Sequence, residues 1–396
     1  MTIVSTVGLS MQIGLRSIGI WPNAPYAFLF RGAWILTTGI VQTFQYWWVV
    51  IHFGNDDMSH LIDGLSVTVE YTLMSLKLII LWLNSRIFYD VLAAMAADWK
   101  EAAINEMQTM TSKANISRYI ANVIIGLHSA AVIVYVIDVL VFRTSNYNVD
   151  GIETSVREFT LKLQLPFECN ESPLYEVIML LEFLHQLVAS ATNGVLNCLI
   201  ITLILHISGQ IEILCNALRD ISLGKNNQEE LILSIKALIS KHQKIIVFSG
   251  SIEQIFCYIA LIQVLSSTLV ICCLGFMIVT SINTQDSNTI DSSGLIKSLI
   301  FYMVVTIEAF IFCFCGEYLS AKSKMIGDAA YNSIWYDFKL NECKLVLFII
   351  LRSQRRLTIT AGKMMDLSLE GFTSVSIIFL FFNIYLSRAI ILLTFK

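Results

Sequence analysis

Few side chains in this sequence are spaced for bond-making chemistry, and those that stand out are suited to binding. Six histidines (His52, His60, His128, His185, His206, His242) are scattered, and no CxxC, HExxH or glycine-rich phosphate loop is present. Cys313-Phe314-Cys315 has the wrong spacing for a zinc site. Neither an enzyme nor a metal or cofactor is expected. Glu70 and Lys77 lie inside an apolar run, seven residues apart. On a helix they share one face about 10 Å from each other, too far for a direct bond, so each needs its own partner or water. Such charges mark an aqueous or ligand-facing surface, or a purely structural polar contact. His128 and Asp138 sit in the next apolar run but one after the first. Further on, Tyr175, Met179, Glu182, Phe183 and Gln186 fall on one helical stripe. That stripe suits bundle packing, or an apolar pocket with a few polar fixing groups.

The elements that carry these residues belong to a membrane protein. The chain is 56% hydrophobic and 14% charged, with mean hydropathy +0.69, outside the soluble globular range. Met1 to Arg31 has no basic segment leading into a long apolar one, so a cleaved signal peptide is not expected. Trp21-Pro22 follows a short amphipathic stretch that suits a helix on the inner interface. Seven spans are read, at about Gly32 to Phe53, Leu61 to Asn84, Tyr119 to Phe142, Leu174 to Ile207, Phe248 to Ile282, Ile296 to Leu319 and Ser368 to Ile390. The fold class is therefore all-α and polytopic. The domain division is 1–31, an N-terminal cytoplasmic segment; 32–320, six spans; 321–365, a cytosolic segment; and 366–396, the last span with a short tail. The fourth and fifth runs exceed one crossing and should tilt or project into the cytoplasm.

Lysine and arginine set the orientation. With the N-terminus inside, nineteen fall on the cytoplasmic side, six outside and Lys77 within a span, which favours N-inside and C-outside. A seven-span G-protein-coupled receptor, the alternative reading, has its N-terminus outside. Its Asp-Arg-Tyr and Asn-Pro-x-x-Tyr signatures are also missing. A secondary transporter would show paired broken helices or internal repeats, and neither is visible. The long external loop, Arg143 to Pro173, contains Asn170-Glu171-Ser172, an N-glycosylation acceptor followed by Pro173. Only Cys169 of the nine cysteines should face outside, so no external disulfide within the chain is expected.

The stretch from Asp328 to Lys396 holds the most specific pattern. Leu345 to Leu351 makes roughly 10 Å of helix, against about 30 Å of hydrocarbon, so it should pack on protein in the cytosol. Tyr331, Ile334, Trp335, Leu345, Phe348 and Ile349 then have little to pack on within one subunit, which suggests contact with neighbours. The series Ala-Tyr-Asn-Ser-x-Trp-Tyr (Ala330 to Tyr336), an apolar helix, Arg-Ser-Gln-Arg (Arg352 to Arg355), Thr-Ala-Gly-Lys (Thr360 to Lys363) and Leu-Ser-Leu-Glu-x-Phe (Leu367 to Phe372) resembles the C-terminus of insect odorant receptors.

That resemblance implies a tetrameric, odorant-gated, non-selective cation channel formed with a common co-receptor in the plasma membrane of olfactory sensory neurons. Its partners would be the co-receptor, a small hydrophobic volatile and the bilayer, with no nucleic acid. The implied assembly residues are Tyr331, Trp335, Tyr336, Arg352, Gln354 and Gly362. The implied pore and gate residues are Tyr385, Arg388, Ala389 and Leu392. The implied odorant pocket takes Val67, Tyr71, Tyr135, Met179, Phe183, Phe301 and Tyr302, with Phe167 above as part of a lid. The chain departs from the family where many members carry a Thr-Ser-Tyr-Ser-Tyr-like run, since it reads Ile378-Phe379-Leu380-Phe381-Phe382. The Thr-Tyr and Gln-Phe pair of gustatory receptors is absent, and Gly209 to Val247 is too short for the co-receptor's loop. The resemblance is thus to a ligand-tuned subunit.

Overall fold

The structure is a computed structural model that describes residues 6–22, 24–54, 58–142, 144–149, 152–157, 159–166, 171–221, 228–283 and 292–374. Phe167, Asn170, Tyr385, Arg388, Ala389 and Leu392, expected above as lid, glycosylation, pore and gate residues, lie outside these residues. The helices are α1 (Leu9–Ser17), α2 (Ala27–His52), α3 (Met58–Leu83), α4 (Ser85–Glu101), α5 (Ile104–Phe142), α6 (Leu174–Arg219), α7 (Gln228–Asn283), α8 (Ser292–Tyr331) and α9 (Leu340–Ser353). Another helix begins at Leu369 and is described as far as Ser374. Among the described residues, five helices are long and apolar enough to cross a membrane, and they fall within α3, α5, α6, α7 and α8.

Helix α6 is the axis of the bundle. From Thr192 to Cys215 every residue except Leu205 and Glu212 is buried. Its sequence there carries a single carboxylate, Glu212, no lysine or arginine, and apolar residues on every side, so the helix is stable only when surrounded. Helices α5, α7 and α8 pack on it. The outer helices instead expose large apolar side chains, such as Phe28, Ile35 and Val50 of α2 and Leu265 and Leu269 of α7. Such a surface suits lipid rather than water.

The structure adds features that hydropathy did not show. Helix α5 begins at Ile104, fifteen residues before the expected span, and α8 runs unbroken to Tyr331 across the 320/321 division. The loop between α5 and α6 holds a hairpin, β1 (Thr144–Val149) paired antiparallel with β2 (Ile152–Arg157). Helix α1 packs on α6, burying Met11 and Leu15. Gly14 allows this approach, because a Cβ there would stand 2.4 Å from a methyl of Val195.

Later in the chain, α9 packs on α8 and α7. Val346 and Ile349 are buried in the main core, and Trp335 and Leu345 are half-buried against it. Ile349, Trp335 and Leu345 therefore do find cover within the subunit, contrary to expectation, because α7 and α8 extend far enough to receive them. Tyr331 and Phe348 remain exposed, at 66% and 65%. A short hairpin, β3 (Thr360–Ala361) with β4 (Met365–Asp366), turns the chain into the last helix. Gly362, at φ +61°, occupies the turn, and its N–H donates to the Cys257 carbonyl of α7 (3.0 Å).

Candidate functional site

Long helices converging on α6 leave a cavity of about 220 Å³ between α3, α5, α6, α8 and the loop before α6. Its walls are mostly apolar, including Val67 and Met74 of α3, Val132 of α5, Ala189 of α6, and Ile300, Phe301 and Val304 of α8. Polar groups gather at its two ends. An apolar chamber with a few fixed polar groups is the usual form of a small-molecule site.

At one end the loop is tied down over the chamber. Thr160 and Leu161 line it, and both are held by Glu182 of α6. Glu182 Oε2 accepts from the Thr160 hydroxyl (2.6 Å), the Thr160 N–H (3.1 Å) and the Leu161 N–H (3.3 Å). Gln186 Nε2 donates to Thr160 Oγ1 (2.6 Å), and the Tyr135 hydroxyl donates to the Thr160 carbonyl (2.5 Å). Lys297 pairs with Asp63 at 2.9 Å and lies over the Tyr135 ring, 4.7 Å from its centroid. The polar members of the α6 stripe thus fasten the loop.

The other end is a buried polar network around Glu308 of α8. Lys77 lies 3.5 Å from Glu308 Oε2, and both side chains are 1% exposed. Lys77 also donates to Asn193 Oδ1 (3.0 Å) and Asn197 Oδ1 (3.4 Å). Asn193 Nδ2 donates to Glu308 Oε1 (2.6 Å) and to Glu70 Oε1 (3.3 Å). His128 places Nε2 2.9 Å from Glu308 Oε1 and donates from Nδ1 to the Ile124 carbonyl (2.9 Å). Gln263 of α7 reaches Glu308 Oε2 at 3.3 Å. The network joins α3, α5, α6, α7 and α8. Glu70 and Lys77 do not touch each other but share Asn193, which bridges the two, and Lys77 also reaches Asn197 and Glu308.

Val67, Tyr71, Tyr135 and Phe301 of the expected pocket line the cavity together; Met179, Phe183 and Tyr302 do not. Met179 is buried, and Tyr302 packs beside Val270, Leu274 and Val305. Of the assembly residues, Tyr331, Tyr336 and Gln354 are exposed, while Trp335, Arg352 and Gly362 are partly covered. Sequence reasoning passed over Glu308, Asn193, Thr160 and Lys297. Glu308 carried the same signal as Glu70, an ionisable residue inside an apolar span. Thr160 carried none, because a loop threonine has no periodicity.

A family model described as 7tm odorant receptor matches residues 57–377. Odorant receptor 67c of Drosophila melanogaster is 25% identical over 230 residues, covering 58% of this chain and 55% of that protein. Odorant receptor 10 of Aedes albopictus is 26% identical over 208 residues, covering 52% of this chain and 53% of that protein. The matched region thus spans about half the length of these relatives. Among solved structures, the insect olfactory receptor OR5 from Machilis hrabei in complex with eugenol superposes with a TM-score of 0.78 at 15% identity, covering 96% of this chain and 97% of that one. A second structure of OR5 from Machilis hrabei gives a TM-score of 0.75 at 14% identity, covering 95% of this chain and 96% of that one. These likenesses give the fold, that of a helical, multi-pass membrane protein.

Proposed function

The chain belongs to the 7tm odorant receptor family, a family of receptors rather than enzymes, and on that premise we propose that it is an odorant-binding subunit of a ligand-gated, non-selective cation channel. The observation that carries this reading is the apolar cavity enclosed by α3, α5, α6 and α8, with Val67, Tyr71, Tyr135 and Phe301 on its walls. A small volatile bound there would touch four helices at once. It opens the channel only through tighter binding to the open arrangement. The last helix, beginning at Leu369, would line the pore with Tyr385, Arg388, Ala389 and Leu392. Exposed Tyr331, Tyr336 and Phe348 would face neighbouring subunits, including the co-receptor, in a tetramer. The reading places seven spans in the plasma membrane of an olfactory neuron with the N-terminus inside.

Whole-cell recording in cells lacking olfactory G-protein signalling, with and without the co-receptor, tests it while volatiles are applied. The expected result is a fast, co-receptor-dependent cation current. Phe301→Ala should shift its ligand dependence, whereas Tyr385→Ala should alter its permeation. A response that needs a G protein and an externally exposed N-terminus would overturn the channel reading.

A further inference from the structure

The basic turn between α9 and β3 serves neither the cavity nor the pore. Arg355 and Arg356 are the only basic residues adjacent to each other in the sequence, and Thr358 follows two positions later. Residues 355–359 belong to no helix or strand. Burial alternates along them: Leu357 and Ile359 are buried, at 9% and 0% exposed, whereas Arg356 is exposed and Thr358 half-buried. Alternation of this kind puts residues two apart on one face, so Arg356 and Thr358 both turn away from the core. Among the described residues nothing hydrogen-bonds the Thr358 hydroxyl.

Two guanidinium groups placed two and three positions before a hydroxyl offer permanent charge and forked donors to an acidic groove, the pattern by which a phosphate-transferring enzyme selects its acceptor. Leu357 must swing out for such a groove to close on the segment. That local opening is resisted by the Leu357 N–H bond to Ser323 Oγ (3.1 Å).

We propose that Thr358 is a phosphorylation site for an arginine-directed serine/threonine kinase, and that its phosphate loosens the junction leading to the last helix. The inference rests on the N-inside reading, which puts this segment in the cytosol with ATP. Thr358 Oγ attacks the γ-phosphorus of Mg²⁺-bound ATP, and the bond from that phosphorus to the β–γ bridging oxygen breaks. ADP leaves, and the hydroxyl proton passes to the kinase's carboxylate base. The product carries about two negative charges. Two positions on, Thr360 donates its N–H and hydroxyl to Glu253 of α7, and it pairs across the hairpin with Asp366. A phosphate beside these carboxylates sets like charges together, while Arg356 draws it back along the chain, so the tie of Thr360 to Glu253 weakens.

The test uses the full-length chain, purified in detergent and also expressed in cells with and without the co-receptor. A purified arginine-directed kinase with Mg²⁺ and ATP is applied in detergent, the same kinase is expressed in the cytosol of the cells, and the phosphate is mapped by peptide mass spectrometry. Phosphate should appear at Thr358, vanish in Thr358→Ala and be retained in Thr358→Ser. Replacing both arginines, Arg355→Gln with Arg356→Gln, should slow transfer about ten- to a hundredfold, the range for a lost hydrogen bond to a charged group. The phosphorylated chain should unfold at a lower temperature and give a smaller volatile-evoked current. No phosphate at Thr358 of monodisperse wild-type chain in detergent would overturn the site and leave the orientation standing. Transfer unaffected by loss of both arginines would overturn the recognition, and an unchanged unfolding midpoint and current would overturn the loosening. Phosphate only in cells lacking the co-receptor would uphold the site and confine it to the unassembled chain. Phosphate in detergent but in neither set of cells would overturn the N-inside reading and the inference with it. Phosphate in cells on a chain that passes no current would uphold the site and sink the channel reading.

Discussion

Lys77 and Glu308 are both 1% exposed and are shared by the same network, so neither can change alone without leaving a buried charge unanswered. Lys77→Met or Glu308→Gln should each cost about 3 to 5 kcal/mol, while the double variant should cost clearly less than the sum, because the uncompensated charge is then absent. Thermal unfolding of the purified proteins in detergent measures this coupling. A second titratable residue lies in the part of α7 before the expected span. His242 is 5% exposed, and burial, with the Arg352 guanidinium adding to it, holds its pKa down at about 4 from the usual 6.5. The folded chain therefore binds this proton less readily than the unfolded one. The stability that a neutral His242 confers is whole above about pH 6.5 and is lost as pH falls toward 4, at most roughly 3 kcal/mol. His242→Gln should flatten the pH dependence of the unfolding midpoint in that window.

At the scale of elements, the junction between α9 and the last helix is fastened by backbone rather than by side-chain bulk. The Thr360 N–H donates to Glu253 Oε2 (2.8 Å), and its hydroxyl donates to Glu253 Oε1. Gly362 turns the chain with a positive φ that disfavours other residues. A Cβ on Gly362 would lie 2.7 Å from Leu261 Cδ2. Gly362→Ala should destabilise the fold by about 1 to 3 kcal/mol, and unfolding midpoints together with the yield of monodisperse protein would register it. Thr-Ala-Gly-Lys was legible as a motif, and the turn explains why it contains glycine. The loop at Thr160 was not legible in this way. It is organised by Glu182 and Gln186, which are distant in sequence and polar on a helix that otherwise reads as core.

For the whole molecule, Tyr331, Tyr336 and Phe348 are each exposed, and the proposed assembly would cover them. Phe348 is 65% exposed beside buried Val346 and Ile349. Phe348→Glu should leave the fold within about 0.5 kcal/mol of wild type, as surface changes usually do, yet lower the fraction of tetramer with the co-receptor. Size-exclusion chromatography of the co-purified complex would show the loss. An unchanged tetramer fraction would place the contact elsewhere.

The sequence by itself determined that this is a helical membrane protein, where most of its long helices run, and which family it resembles. Those conclusions rest on hydropathy and on short motifs, both local along the chain. It also revealed Glu70 and Lys77, because a charge in an apolar run is visible without any neighbour. Only the tertiary structure decided how those charges are satisfied. Asn193 and Glu308 reach them from two other helices while His128 holds Glu308 from a third, and the separation of 115 positions between Asn193 and Glu308 leaves no trace in any sequence period. It likewise decided which members of the expected pocket meet. Val67, Tyr71, Tyr135 and Phe301 share one chamber, whereas Met179 and Phe183 are placed elsewhere by the rotation of α6, which packing on its neighbours sets.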